Sequence, residues 1–199
     1  MSFRTKWSQW LLAVKQANKN QLKIIGGQWR GRKLAFCNAE GLRPTGARIR
    51  ETLFNWLQHD VEGMECLDLF AGSGALAFEA SSRGAARVVM VERNPLTARS
   101  LREQMEKFQA DNIELWQGSA LDFLEANRSL FDLVLLDPPF VTPLLEQTLE
   151  ALVSGKHLSV GALCYFEFPR REIPALPHRW RFIRQKQAGD VGYGLVSTG

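Results

Sequence analysis

Between residues 65 and 154 the chain repeats one pattern four times: a short apolar run, a brief connection, then a longer stretch with apolar residues at helical spacing. The runs predict strands near 65–70, 87–92, 112–117 and 131–137, and the spacing predicts helices near 74–83, 95–109, 119–127 and 143–154. Successive strands joined by helices run parallel, and a parallel sheet needs both faces covered. Beyond Gly161 the texture changes. Residues 162–168 read as another strand, and 180–186 and 191–198 flank Ala188-Gly189-Asp190 as a hairpin. The expected fold is α/β: a doubly wound, mostly parallel, seven-stranded sheet with an antiparallel strand at its edge. No internal repeat or low-complexity tract interrupts it.

In such sheets ligands bind outside the carboxyl ends of the strands. The first strand runs into a helix through Leu67-Asp68-Leu69-Phe70-Ala71-Gly72-Ser73-Gly74, where Gly72 and Gly74 permit a tight turn and close approach to the backbone. Residues 72–77 match G-x-G-x-x-A, and Glu92 follows at the end of the second strand, which a dinucleotide fold would also show. Asp68 separates the readings. A carboxylate at the strand end repels a pyrophosphate and attracts an ammonium group, so a ligand with an amino-acid moiety, a cationic centre and a ribose fits better. Glu92, followed by Arg93 and Asn94, can hold ribose hydroxyls, and the small pair Ser119-Ala120 leaves room for a planar ring. Asp122 reads as an exposed acid at a helix start.

The fourth strand ends in Asp137-Pro138-Pro139-Phe140. Each proline fixes φ and removes a donor, and Pro139 holds Pro138 out of the helical region. The loop therefore offers acceptors and almost no donors. Asp137 and the Pro138 carbonyl can accept both N–H bonds of an exocyclic amine, and Phe140 presents a stacking face. The slot suits a nucleobase, adenine as well as guanine. The competing reading is a proline turn that only closes a buried strand, and a nicotinamide oxidoreductase would leave the slot without a purpose.

The net charge of +4 is unevenly distributed. Residues 1–50 carry eleven Lys or Arg against Glu40 alone, a balance of +10, which leaves −6 for the remainder. Segregated positive charge points to a polyanion partner. Residues 22–27 and 31–36 read as a hairpin whose tip, Gln28-Trp29-Arg30, suits a phosphate backbone and an unstacked base. Thr45 is expected to cap a helix with Ile49, Leu53, Trp56 and Leu57 on its buried stripe, leaving Arg48 and Arg50 available. Arg43 or Thr45 can reach the ligand's carboxylate. Residues 1–20 place Trp7, Trp10, Leu11 and Val14 at helical spacing, as a packed amphipathic helix or an extension. Three cysteines in no close pairing, and no apolar run long enough for a signal core or a span, lead us to expect a cytoplasmic protein with reduced thiols.

Together D-x-F-x-G-x-G at 68–74, Glu92 and D-P-P-F at 137–140 resemble the class I S-adenosylmethionine-dependent methyltransferases, a Rossmann-like fold. Ile24 to Leu34, Gly41-Leu42-Arg43-Pro44-Thr45 and Arg48 to Leu57 narrow the likeness to the RsmD family of bacterial 16S rRNA (guanine-N2)-methyltransferases, over about residues 22–198. The resemblance implies methyl transfer from S-adenosylmethionine to the N2 amine of one guanine in 16S rRNA, on an assembled small-subunit particle, by a monomer without a metal. Asp137, Pro138, Pro139 and Phe140 would then be catalytic. Asp68, Phe70, Ala71, Gly72, Gly74, Glu92, Arg93, Asn94, Ser119 and Ala120 would bind the cofactor, and Arg30, Arg32, Lys33, Arg43, Arg48 and Arg50 the RNA. The expected division is a basic extension at 1–20, an RNA-contacting hairpin and helix at 21–60, and a methyltransferase domain at 61–199. Two rival functions share these features: an N6-adenine methyltransferase on DNA or RNA, and an rRNA-binding assembly factor without activity.

Overall fold

The computed structural model describes residues 19–37, 45–140 and 142–199. Residues 1–18 and Arg43 therefore lie outside the described part. The strands are β1 Lys19–Lys23, β2 Lys33–Cys37, β3 Glu65–Asp68, β4 Arg87–Glu92, β5 Ile113–Gln117, β6 Phe131–Leu136, β7 Leu158–Pro169, β8 Arg181–Ala188 and β9 Val191–Ser197. The helices are α1 Ala47–Trp56, α2 Ala75–Ser82, α3 Pro95–Phe108, α4 Ala120–Ala126 and α5 Leu144–Ser154.

Seven strands form one sheet in the order β5-β4-β3-β6-β7-β9-β8. The first five of these pair in parallel, as the strand–helix repeat requires. The antiparallel strand is β9, and it lies one place in from the edge rather than at it. β9 pairs with both β7 and β8, so β8 forms the edge and runs in the same direction as the parallel strands. The reason is packing: β9 is the apolar member of the hairpin, with Tyr193, Leu195 and Val196 at 2% exposure or less, whereas β8 is almost wholly exposed.

Alternate residues of each inner strand feed two cores. Cys66, Val88, Met90, Leu133, Leu135 and Tyr165 face α1, α2 and α3, together with Ile24, Trp29 and Leu34 of the small β1–β2 sheet region. Leu67, Val89, Val91, Val134, Leu136 and Phe166 face α4 and α5. Local sequence sets the helix starts. Asn94 accepts from the Leu96 and Thr97 N–H groups with Pro95 in the first turn, and Ser119 accepts from the Asp122 N–H. Gly74 opens α2 at φ 77°, and a Cβ there would lie 2.7 Å from Leu101 Cδ2.

A buried carboxylate clips the amino-terminal hairpin to the sheet. Glu79 on α2, fully buried, accepts from the backbone N–H groups of Ile25 at 2.9 Å and Gly26 at 2.8 Å, and pairs with Arg83 at 2.9 Å and Arg50 at 3.5 Å. Arg50 also donates to the carbonyls of Lys23 and Thr45. Arg50 is thus 2% exposed and unavailable to an RNA, contrary to the helix-stripe expectation. Trp29 fails the same test. Its ring is packed edge-on against Phe108 at 5.2 Å and tilted on Phe78 at 6.0 Å, so no base can reach it. One physical reason covers both residues: helical and hairpin periodicity is a property of the local chain, and α2 and α3 cover that face from elsewhere in the sequence.

Candidate active site

The sheet reverses its strand order about β3 and β6, and a cavity of about 520 Å³ opens at their carboxyl ends. It is lined by Asp68, Phe70, Ala71 and Gly72 after β3, and by Glu92, Arg93 and Asn94 after β4. Ser119 and Ala120 after β5, and Asp137, Pro138, Pro139 and Phe140 after β6, complete the expected set. Four strand ends, distant in sequence, therefore converge on one volume. Gly74 is not on its wall; it shapes the turn from behind, against Leu101. Asp122 is likewise absent from the wall and exposed, as expected for a helix-start acid.

Asp68 is 1% exposed, and its Oδ1 has no hydrogen-bond partner among the described residues. Burial pushes its carboxyl up to about 7; the Phe70 N–H opposes the rise and the nearby Asp137 charge adds to it. A buried acceptor left without a donor costs about 1–3 kcal/mol. An ammonium group supplied by a ligand would satisfy it. Glu92 is raised as well, chiefly by burial, but each of its oxygens holds one backbone donor: Oε2 the Gly72 N–H at 2.9 Å, Oε1 the Asn94 N–H at 2.7 Å. The Arg93 N–H also bonds this carboxylate, and its remaining lone-pair capacity is open to a hydroxyl. The cavity volume and these two carboxylates, one unpartnered and one half-used, fit a ligand with an ammonium end and a ribose.

At the proline loop, Thr142 Oγ1 donates to the Pro139 carbonyl at 2.9 Å, which occupies that acceptor and leaves Pro138 as the carbonyl beside Asp137. Phe140 is 40% exposed, so its ring face is accessible. Thr45 does not cap α1. The N-cap is Gly46, without a side-chain bond, and the Thr45 hydroxyl instead donates to Asp137 Oδ2 at 3.1 Å. This long-range bond ties the segment before α1 to the loop after β6.

Glu167 was not legible in the sequence. It sits on β7, 4% exposed, on the cavity wall next to Asp137, and accepts from the Tyr165 hydroxyl at 2.9 Å. The Thr45 hydroxyl that donates to Asp137 also lies near enough to Glu167 to oppose its rise, so one side chain borders both carboxylates. Burial raises both acids, and the Asp137 charge raises Glu167 further. The only hint in the chain was an acid inside an apolar strand, 158–169, where a charge is expensive unless it has partners. Ile49, Ala188 and Val191 also close the cavity, the last two from the β8–β9 hairpin.

Of the expected RNA contacts, Arg30, Arg32, Lys33 and Arg48 are exposed. Arg32 is stacked over Phe108 at 4.1 Å and donates to the Lys107 carbonyl, so its guanidinium is held in place on the surface.

The chain is similar to proteins already known. A family model described as conserved hypothetical protein 95 matches residues 22–197. The ribosomal RNA small subunit methyltransferase D of Haemophilus influenzae is 43% identical over 184 residues, covering 90% of this chain and 95% of its own. The protein of the same name from Escherichia coli K12 is 41% identical over 180 residues, covering 90% and 91%. Among solved structures, the Escherichia coli protein yhhF superposes with a TM-score of 0.81 at 42% identity, over 89% of this chain and 98% of its own. An RNA methyltransferase from Salinibacter ruber in complex with S-adenosyl-L-homocysteine shares the fold, with a TM-score of 0.60 at 22% identity over 78% and 93%.

Proposed function

The chain belongs to the RsmD family, whose model is described as conserved hypothetical protein 95, and on that premise we propose that it transfers a methyl group from S-adenosylmethionine to the N2 amine of one guanine in 16S rRNA within assembled small-subunit particles. The observation that carries this reading is that a single cavity joins the unpartnered Asp68 oxygen to the acceptor-only loop at Asp137.

S-adenosylmethionine, when bound, would supply the methyl group from its sulfonium, the S–CH3 bond breaking as the N–CH3 bond forms and the sulfur leaving as a neutral thioether. Asp68 would receive its ammonium, Glu92 its ribose hydroxyls, and Ser119 and Ala120 would border its ring. The acceptor base leaves its stack to enter the slot, as bases in such reactions must. Asp137 and the Pro138 carbonyl then take the two N–H bonds of the amine. This draws the nitrogen lone pair out of conjugation with the ring and aims it at the donor. Phe140 stacks on the base for about 1–3 kcal/mol. Positioning of this kind can lower a barrier by roughly 7–11 kcal/mol. Once the nitrogen is methylated it becomes acidic, and its proton passes to the Asp137 carboxylate, which Thr45 and Glu167 support from behind.

The exposed bases Arg30, Arg32, Lys33 and Arg48, with Arg43, contact the RNA backbone, so residues 21–60 face the substrate while 61–199 perform the transfer. The protein works as a cytoplasmic monomer. No helix among the described residues is long and apolar enough to cross a membrane.

The test is to incubate the protein with tritiated S-adenosylmethionine and, separately, deproteinised 16S rRNA, small subunits from a strain lacking the protein, and duplex DNA. Label recovered as N2-methylguanine from the particles is the expected result. Label on adenine, or in DNA alone, would overturn the reading, as would no incorporation into any RNA.

A further inference from the structure

Within residues 51–199, which sum to −6, the segment 170–186 stands apart: six bases, Arg170, Arg171, Arg179, Arg181, Arg184 and Lys186, against Glu172. Three of them lie on β8, the outer edge of the sheet. In a regular strand Arg181 would point to the opposite face from Arg184 and Lys186, because side chains alternate. The β8–β9 ladder, however, slips between Phe182 and Arg184. Directly paired residues share a face. Arg181 is paired with Ser197, Arg184 with Leu195 and Lys186 with Tyr193. Leu195 and Tyr193 belong to the core on the α1 side, and Ser197 is on the same face of β9 by alternation. Phe182, paired with Val196, turns to the other core. The bulge at Ile183 thus gathers three cations on one face of the edge while Phe182 stays packed.

All three are exposed, and none meets a carboxylate in an ion pair among the described residues. The row leads to the cavity. β8 ends at Ala188 and β9 begins at Val191, both on the cavity wall together with Ile49 of α1. At the same end the Arg170 N–H donates to the Asp190 carbonyl at 2.8 Å, which places the exposed Arg170 and Arg171 beside the hairpin turn. From Arg181 to Ala188 the strand spans roughly 20 Å, the reach of several phosphates.

We propose that Arg181, Arg184 and Lys186 form a phosphate-tracking stripe along the β8 edge that guides an rRNA strand to the cavity, on the same face of the sheet as the amino-terminal hairpin. This inference rests on methyl transfer to RNA. Charges on an edge strand also discourage edge-to-edge association, but that role places no demand on which face they share.

The experiment compares the wild-type protein with R181Q/R184Q/K186Q, with R181K/R184K, and with K156Q, whose exposed Lys156 lies just before β7, off the β8 edge and at the end of the sheet away from the cavity. The RNA is the 16S particle that accepts label from the wild type. The triple variant should raise KM for RNA roughly tenfold or more, and flatten the slope of log affinity against log salt by about 2, near 0.7 for each lost single-strand contact. Its kcat at saturating RNA and its S-adenosylmethionine affinity should stay at wild-type values. R181K/R184K and K156Q should keep the wild-type slope. A triple variant with unchanged KM and slope overturns the stripe and leaves the methyltransferase reading intact. Aggregation of that variant, with unchanged RNA affinity in its monomeric fraction, assigns the charges to edge protection and also overturns it. A wild-type protein that binds S-adenosylmethionine yet labels no RNA overturns the functional reading, and the stripe with it.

Discussion

Replacing Asp68 by Asn tests the cofactor end of the cavity. The Asp68 carboxyl is buried and raised to about 7, with one oxygen unpartnered among the described residues. Binding a cationic ammonium requires the ionised form, so cofactor affinity should climb as pH rises through that value. With a pKa of about 7 the group is about 9% ionised at pH 6 and about 76% at pH 7.5, which predicts roughly eightfold tighter binding at the higher pH. The climb ends where the ligand's own α-amino group loses its proton, near 7.7–8.0. Asp68→Asn removes a charge-assisted hydrogen bond of about 1.5–3 kcal/mol, so the dissociation constant should rise about 10- to 150-fold. It should also remove the roughly eightfold change between pH 6 and 7.5 that ionisation of Asp68 contributes. Isothermal calorimetry with S-adenosylmethionine at pH 6.0, 6.8 and 7.5, in buffers of different ionisation enthalpy, measures affinity and proton release together, the pH values being about half a unit or more apart around the group. A wild-type affinity flat across that window, or an Asn variant that binds as tightly as the parent, would refute the argument.

Asp137→Ala should cut methyl transfer by at least roughly 10²-fold while leaving S-adenosylmethionine affinity within about twofold, measured by tritium incorporation and calorimetry. Glu167→Gln removes an acid that shares Thr45 with Asp137, so the acid limb of the kcat profile should move to lower pH; an unmoved limb would separate Glu167 from the reaction. Glu79→Ala leaves the Arg50 charge buried without a partner and frees two backbone donors, and should cost about 3–5 kcal/mol in urea unfolding. The double change Arg50→Met with Glu79→Leu should recover only the part due to the unpaired charge, because the Ile25 and Gly26 N–H groups and the Lys23 and Thr45 carbonyls stay without these partners, and a single variant as stable as the parent would show the clip to be dispensable.

Most of the sheet and most of the cavity wall were legible in the chain because they depend on local order. A parallel strand buried on both faces has to be apolar throughout, and a connecting helix has to carry a 3.6-residue stripe, so element type and direction follow from periodicity alone. The ligand-facing residues sit at strand ends for the same reason: Asp68, Glu92 and Asp137 are each the first polar group after an apolar run, and Ser119 follows two residues beyond its strand. Positions set by pairing across long sequence separations were not legible. Thr45 looks like a helix cap from its neighbours, yet its hydroxyl meets Asp137, ninety-two residues away. Arg50 and Trp29 look exposed on their own elements and are buried by Glu79, Phe78 and Phe108 from others.

By itself the amino-acid order determined the α/β class, the parallel strands, the two loops that frame the cavity and the resemblance to the RsmD family, because each is carried by contiguous residues whose backbone and side-chain chemistry acts locally. Only the tertiary structure decided that β9 rather than β8 fills the inner position, that Thr45 borders both Asp137 and Glu167, and that a slipped ladder brings Arg181 to the same face as Arg184 and Lys186. Those outcomes depend on which surfaces meet and in what register, and a one-residue shift in pairing reverses every side chain beyond it.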